Sequence, residues 1–417
     1  SLIFIFTGCS KEETEETAEI EEIAEIEETA EIEELYFTLN TNDIKDLKGE
    51  DWIVIHNSDG VLLDYVAFEK NEILEFKEFN TLLTDKITVT YFSYLAEADS
   101  FYHKIKTYTE IDKGSIWRLI PDKQTLTSVG KFDLSVNHPS SIKQITCSNG
   151  SSTYTNYING ATGTNFQNIY LVGNENDIFT SILDINDGWK YKVLENVTDG
   201  DNLFLNYSEF QDFDTYLNID LPKNVNGNIG YSTRTNTESL NNKNYSLIRG
   251  YSSNNDYYPE TLKLGYLNRF DKYKTEIYFY TDKYFYSYKK NGDVPSEIII
   301  PIEPSISIDD SSIFNFKMTT NVNYNYKYSL WSFFSGTTNP PYNRATWKIF
   351  SPKNGSSIIS DLPNEITQNY PNLNTSNLSL DFNELIYTDT YYNFIDREFI
   401  TGENNLNNLI IESIGLE

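Results

Sequence analysis

Few residue types that usually carry out chemistry occur in the 417-residue chain. It has three histidines, His56, His103 and His138, and two cysteines, Cys9 and Cys147. No histidine lies in a His-Glu-x-x-His pattern or at metal-ligand spacing from a cysteine, and neither the Gly-x-Ser-x-Gly nor the Gly-Lys-Ser/Thr motif is present. We therefore expect structural histidines and, at Cys147, a buried and unreactive thiol.

Acidic residues offer weaker patterns. The segment 184–188 and the pair Asp199 and Asp201 place oxygen atoms at spacings that suit calcium, but they miss the helix-loop-helix calcium loop and its terminal Glu. An Asp- and Asn-rich β-turn is the favoured interpretation, so we expect no metal and no cofactor, with calcium as the alternative. No pair of carboxylates stands out for glycoside hydrolysis, because their separation is set in three dimensions.

Aromatic residues give the one positive indication of ligand contact. Trp331 and Trp347 flank a loop-like stretch, 336–344, that contains Tyr342 and Arg344. Exposed Trp and Tyr rings stack on sugars, and Arg donates hydrogen bonds to their oxygens. The sequence thus offers these four residues as a candidate ligand site. The competing interpretation places both Trp side chains in a sandwich core.

The N-terminus has the features of a targeting signal. Residues 1–8 read as the end of an apolar signal peptide, too short to span a membrane. Residues 6–9, Phe-Thr-Gly-Cys, resemble a bacterial lipobox. The resemblance implies that the Cys9 thiol carries a lipid and that Cys9 is the first residue after cleavage.

The residues after Cys9 indicate the cellular location more closely. Ser10, Lys11, Glu12 and Glu13 resemble the short acidic export signal of Bacteroidota surface lipoproteins. The resemblance implies a protein anchored on the outer face of the outer membrane. A plain acidic linker is the alternative.

A charged spacer follows. Three hexads end in Ala-Glu-Ile-Glu-Glu at residues 17–34, and residues 10–35 hold 13 Glu and one Lys. Period six fits neither a coiled coil nor a helical face, so a self-repelling, flexible stalk is expected. The formal charge of the whole chain, −30, argues against binding to nucleic acid by bulk charge.

From residue 36 onward the pattern is all-β. Short runs rich in Val, Ile, Thr, Tyr and Phe alternate with turn residues, and about seven strands fall within residues 36–122, as in an immunoglobulin-like sandwich. A weak repeat joins an aromatic strand, a glycine turn and an apolar strand around Gly114, Gly200 and Gly292. Tandem β-sandwiches are predicted, with one large β-structure such as a propeller as the alternative.

These features define an expected organisation. We expect a signal remnant at 1–8, a lipidated spacer at 9–35, and sandwiches at 36–122, 123–225 and 305–417. Residues 226–304 are expected to form a further β-rich domain or an extension of a neighbouring domain. The expected function is a non-catalytic surface lipoprotein that binds a ligand or joins an outer-membrane complex. The alternatives are a glycan-binding accessory protein of a nutrient-uptake system and a surface glycoside hydrolase.

Overall fold

The computed structural model describes most of the β-rich body. It covers residues 33–42, 49–79, 85–119, 127–173, 177–235, 243–252, 260–301, 303–335, 342–355, 358–370, 372–401 and 409–416. Cys9, the expected export signal at 10–13 and residues 336–341 lie outside these ranges. The expected spacer ends slightly earlier than residue 35, because Glu33, Glu34 and Leu35 already belong to the first strand.

The strands fall into four consecutive units, and the first two lie before residue 213. Unit 1 contains β1 (Glu33–Asn40), β2 (Glu50–Asn57), β3 (Leu62–Phe68), β4 (Ile73–Phe79), β5 (Lys86–Glu97), β6 (Ser100–Asp112) and β7 (Ser115–Arg118). Unit 2 contains β8 (Ser128–Asn137), β9 (Ile142–Ser148), β10 (Thr153–Tyr157), β11 (Gly163–Val172), β12 (Ile178–Asp184), β13 (Gly188–Leu194), β14 (Asn202–Asn206), a 3-10 turn (Tyr207–Glu209) and β15 (Gln211–Asp212).

The other two units follow, and the last contains the short helices. Unit 3 contains β16 (Thr215–Asp220), β17 (Val225–Thr235), β18 (Ser246–Ser252), β19 (Thr261–Tyr266), β20 (Tyr273–Thr281) and β21 (Phe285–Gly292). Unit 4 contains β22 (Ile306–Asp310), β23 (Lys317–Thr320), β24 (Tyr326–Ser335), β25 (Tyr342–Pro352), α1 (Asn364–Asn369), a 3-10 turn (Thr375–Asn377), β26 (Ser379–Ile386), α2 (Tyr391–Asp396), a π-helical turn (Arg397–Thr401) and β27 (Ile410–Leu416).

One pairing pattern recurs in the four units. A four-stranded sheet has the order β3-β2-β5-β6 in unit 1, β10-β9-β12-β13 in unit 2, β18-β17-β20-β21 in unit 3 and β25-β24-β26-β27 in unit 4. In the first three units a second layer pairs β1 with β4, β8 with β11, and β16 with β19. The four-stranded sheet has the strand order C′-C-F-G of an immunoglobulin-type sandwich. The pair in the second layer corresponds to its strands B and E. The all-β sandwich prediction is confirmed.

The weak repeat seen in the sequence has a structural counterpart in units 1 and 2. After the last strand of the four-stranded sheet, the chain turns at Gly114 (φ 80°) or Gly200 (φ 84°), a backbone conformation that favours glycine. It then adds β7 parallel to β1, or β14 parallel to β8. The apolar strand of the repeat thereby closes the second layer, and Trp117 of β7 is buried there.

Three of the four-stranded sheets merge into one long sheet. Units 3, 4 and 1 join edge to edge in the order β18-β17-β20-β21-β27-β26-β24-β25-β6-β5-β2-β3. The junction of β21 with β27 is antiparallel, whereas β25 runs parallel to β6. Edge pairing satisfies backbone groups that separate sandwiches would leave open. The tandem units therefore share a continuous sheet.

Two of the expected boundaries fall between strands and one falls within a strand. Residues 122/123 fall between β7 and β8, and residues 304/305 fall between β21 and β22. The expected boundary at 225/226 falls at the start of β17, whereas the pairing of β16 with β19 groups β16 with the strands that follow it. Pro222 and Asn224 belong to a turn before β17, closed by a hydrogen bond from the Val225 amide to the Pro222 carbonyl (3.2 Å), and the rest of the Asn-rich run lies in β17.

The apolar cores also cross unit borders. One cluster combines Val54, Phe92 and Ile105 of unit 1 with Trp331 and Trp347 of unit 4. A second cluster packs aromatic side chains of unit 2 against unit 3, and a third lies within unit 2. Because burial of apolar area drives folding, the shared cores fix neighbouring units against each other.

Candidate functional site

Trp331 and Trp347 lie in the core that units 1 and 4 share. They are directly paired on β24 and β25, and each is 0 % exposed. The Trp347 indole donates a hydrogen bond to Thr107 (2.8 Å), and that of Trp331 donates to Ser329 (3.1 Å). Neither ring offers a face to a ligand in this arrangement. The core interpretation is therefore correct for both, and they are removed from the candidate ligand site.

Tyr342 and Arg344 lie on the opposite face of the same strand. Successive side chains of a strand point to opposite faces, so Ala345 and Trp347 are buried while Arg344 is exposed. Tyr342 is half-buried and stacks on Phe334 of β24, with ring centroids 6.4 Å apart and planes 6° from parallel. Phe334 itself is 53 % exposed. These residues remain candidates.

Three lysines join Arg344 on this face. The parallel register aligns Arg344 with Tyr102, Thr346 with Lys104, and Lys348 with Lys106. Paired residues share a face of the sheet, so four cationic side chains cover two adjacent strands. We call Lys104, Lys106, Arg344 and Lys348 the basic patch. Lys104 and Arg344 are its exposed members.

The charges of the basic patch are only partly neutralised. Lys106 contacts the Glu398 carboxylate of the π-helical turn at 3.4 Å. Burial, together with the nearby Lys106 and Lys104, lowers the pKa of Lys348, whereas Glu398 acts in the opposite sense. Among the described residues, the contact between Lys106 and Glu398 is the one ion pair in which the patch takes part. A positive surface therefore stands out on a chain whose formal charge is −30.

Sequence reasoning missed the three lysines. Lys104 and Lys106 alternate with buried residues in β6, a signal that both occupy one face of a strand. Their proximity to Arg344 follows from the pairing of β6 with β25, which joins residues about 240 positions apart. Nothing in the spacing of residues along the chain marks that pairing.

The histidines and Cys147 occupy buried positions. Burial lowers the pKa of His56 to about 4 and also lowers that of His103. His138 contacts the Pro139 carbonyl and the Thr164 hydroxyl. Burial raises the pKa of the Cys147 thiol to about 12, so the thiolate that a nucleophile requires is strongly disfavoured. The structural interpretation is correct for these side chains.

The acidic segment at 184–188 is a hairpin turn between β12 and β13. Asp184 accepts hydrogen bonds from the Asn186 amide (2.9 Å) and the Ser141 hydroxyl (3.1 Å), as expected for an Asx-type turn. Asp199 accepts a hydrogen bond from the Lys131 amide of β8, and Asp201 accepts one from the Thr198 amide of its own turn, each at 2.7 Å. Within the described ranges, no three His, Cys, Asp or Glu side chains converge as a metal site.

Comparison with known proteins adds no family to these observations. No protein-family model matches the chain, and no curated protein matches it significantly. In the part of the chain that the structure describes, no helix is long and apolar enough to cross a membrane.

Proposed function

We propose that the protein is a non-catalytic binding protein displayed on the cell surface, and that the basic patch is where it contacts an acidic ligand. The observation that carries this proposal is the convergence of Lys104, Lys106, Arg344 and Lys348 on one face of a strongly acidic chain. Clustered cations attract anions and accelerate their encounter. The guanidinium of Arg344 adds two-pronged hydrogen bonding to carboxylates.

An acidic glycan is the ligand that best fits the surroundings of the patch. The stacked rings of Tyr342 and Phe334 border Arg344, and Tyr102 is paired with Arg344 across the strands. Aromatic faces accommodate sugar rings, while the cations accommodate carboxylate substituents. The surface thus supports the role of a glycan-binding accessory protein. A subunit of an outer-membrane complex and a surface hydrolase are the competing functions.

A lipid anchor at Cys9 belongs to the same proposal. The resemblance of residues 6–9 to a lipobox supports it, and the acidic residues that follow support display on the outer surface. A spacer with a net charge of −12 would be repelled by an anionic membrane and hold the sandwiches away from it.

Replacing Cys9 by serine in the full-length precursor is expected to move the protein from the membrane fraction into soluble material. The physical reason is the loss of acyl chains, each buried CH₂ of which contributes about 0.8 kcal/mol to membrane binding. Membrane fractionation with radiolabelled palmitate measures the effect. Cys147→Ser is the matched control and should keep the label. Equal labelling of wild type and Cys9→Ser would refute the anchor.

Binding without turnover is the expected behaviour toward acidic polysaccharides. Incubation with polygalacturonate, alginate and hyaluronate should give retention on at least one immobilised polymer and no new reducing ends. The same assay with neutral dextran controls for non-specific retention. Release of reducing ends would establish a glycan-cleaving enzyme instead. Absence of retention on all three acidic polymers would leave the complex-subunit function as the better account.

A further inference from the structure

Aromatic side chains form a stripe across the long sheet, on the face that carries the basic patch. The stripe consists of Tyr251 of β18, Tyr278 of β20, Phe285 of β21, Phe382 of β26 and Tyr328 of β24. Ring centroids are 6.4 Å apart for Tyr278 and Phe285, 5.4 Å for Phe285 and Phe382, and 6.3 Å for Phe382 and Tyr328. Tyr251 is 43 % exposed and the other four rings are half-buried.

Two glycines make the stripe continuous. Gly230 lies between Tyr251 and Tyr278 in the strand register, and the Tyr278 ring occupies the space in which a Cβ at Gly230 would stand. Gly415 lies between the strands of Phe285 and Phe382, and a Cβ there would be 3.0 Å from the Phe382 ring. Rings over glycines lie against the backbone and turn their other side outward, as in aromatic rescue of glycine in sheets.

The stripe has the dimensions of an extended polymer site. From β18 to β24 there are six strand spacings, which at about 4.8 Å each amount to about 29 Å. At its far end, the Lys348 ammonium lies over the Tyr328 ring, 5.7 Å from the centroid. The aromatic stripe and the basic patch therefore form one continuous surface on units 3, 4 and 1.

Short helical elements of unit 4 cover one border of this surface. Helix α2 and the π-helical turn pack beside it, with Phe394 against Phe350 (4.9 Å) and Tyr326 (5.2 Å). Phe350 in turn stacks on Tyr328 (5.0 Å). The helix thus holds the rim of the stripe in place, while the half-exposed rings of the stripe stay in contact with solvent.

We propose that this surface binds a linear acidic polysaccharide lengthwise, across the strands. Sugar rings stack along the stripe, and carboxylate substituents at one end meet the basic patch. The inference rests on the proposed function and adds to it the shape and length of the ligand. The argument for a charged glycan is the combination of aromatic rings with the cations of the basic patch, because such a polymer carries both sugar rings and carboxylates.

Binding of oligogalacturonides of increasing length tests this proposal. Affinity is expected to rise with length until the chain spans about 29 Å and then to level off. Phe382→Ala and Tyr251→Ala are each expected to weaken binding of the long oligomer roughly fivefold to tenfold, with little effect on the shortest one. Tyr170→Ala is the matched control, because Tyr170 is 45 % exposed and lies on β11 of unit 2, in a different sheet from the stripe. Tyr251 lies on an edge strand, so its variant remains informative if Phe382→Ala fails to fold.

The outcomes separate this inference from the function on which it rests. If long oligomers bind through the basic patch but Phe382→Ala and Tyr251→Ala bind them as wild type does, the stripe proposal is wrong and the patch proposal stands. If no oligogalacturonide binds, the stripe proposal is wrong, and the patch proposal is wrong as well if alginate and hyaluronate are also not retained. A change from dimer to monomer in the stripe variants, measured by light scattering, would show that a second copy of the chain occupies the stripe and would also overturn the inference.

Discussion

Trp347→Ala is expected to lower the free energy of unfolding by about 3–5 kcal/mol, the usual loss when a large buried aromatic is truncated. Its ring is 0 % exposed and contacts Phe314 edge-on at 6.1 Å. It also donates to Thr107 of unit 1, so truncation removes a contact that joins two units and leaves the hydroxyl without this donor. Against a domain stability of roughly 5–15 kcal/mol, the loss is large.

Thermal unfolding, with urea titration as a second measure, detects this loss. The control is Phe334→Ala, which removes a 53 % exposed ring from the opposite face of β24 and should change stability by less than about 0.5 kcal/mol. Trp331→Ala should behave like Trp347→Ala. A Trp347→Ala protein that melts as wild type does but loses retention on a glycan column would return both Trp residues to the ligand site.

Reversing the two exposed charges of the basic patch is expected to abolish most of the binding to an acidic polysaccharide. Hydrogen bonds to charged groups contribute about 1.5–3 kcal/mol each, so Lys104→Glu combined with Arg344→Glu should weaken binding by about a hundredfold or more. Both side chains are exposed, and neither makes an ion pair with another described residue, so the fold should be unaffected.

The control for this experiment reverses two exposed lysines elsewhere, so its net charge changes as much as that of the patch variant. Lys263→Glu on β19 combined with Lys131→Glu on β8 should bind as wild type does. Because the interaction is largely electrostatic, wild-type affinity should also fall as salt concentration rises. Equal losses in the control and in the patch variant would indicate a general charge effect and would contradict a localised site.

The strand pattern was predictable because it is local. Seven strands were expected in residues 36–122, and β1 to β7 occupy this region with pairings of the immunoglobulin type. The Gly114 and Gly200 turns were also visible, since a positive φ requires a residue type that stands out in a sequence. By contrast, the turn after Pro222 resembles a linker in composition, and the partner of β16 was needed to place it inside unit 3.

The joining of units was not predictable from the chain. Alternation shows which side chains share a face of β6 or β25 but not which edge strands meet, because edges of different units have equivalent backbone groups. The basic patch and the aromatic stripe both arise from such junctions, at β25 with β6 and at β21 with β27. Tyr342 and Arg344 could be named as candidates from the sequence, whereas Lys104, Lys106 and Lys348 could not.

Lysine footprinting with bound polysaccharide tests the central claim most directly. The protein is acetylated with and without saturating polygalacturonate, and the modified lysines are quantified by mass spectrometry. Lys104, Lys106 and Lys348 are expected to be protected by the ligand, while Lys263 and Lys131, which lies over the Tyr170 ring of unit 2, react equally in both samples. Unchanged modification of the three patch lysines at saturating polymer, or protection confined to lysines of unit 2, would contradict the assignment of the binding surface.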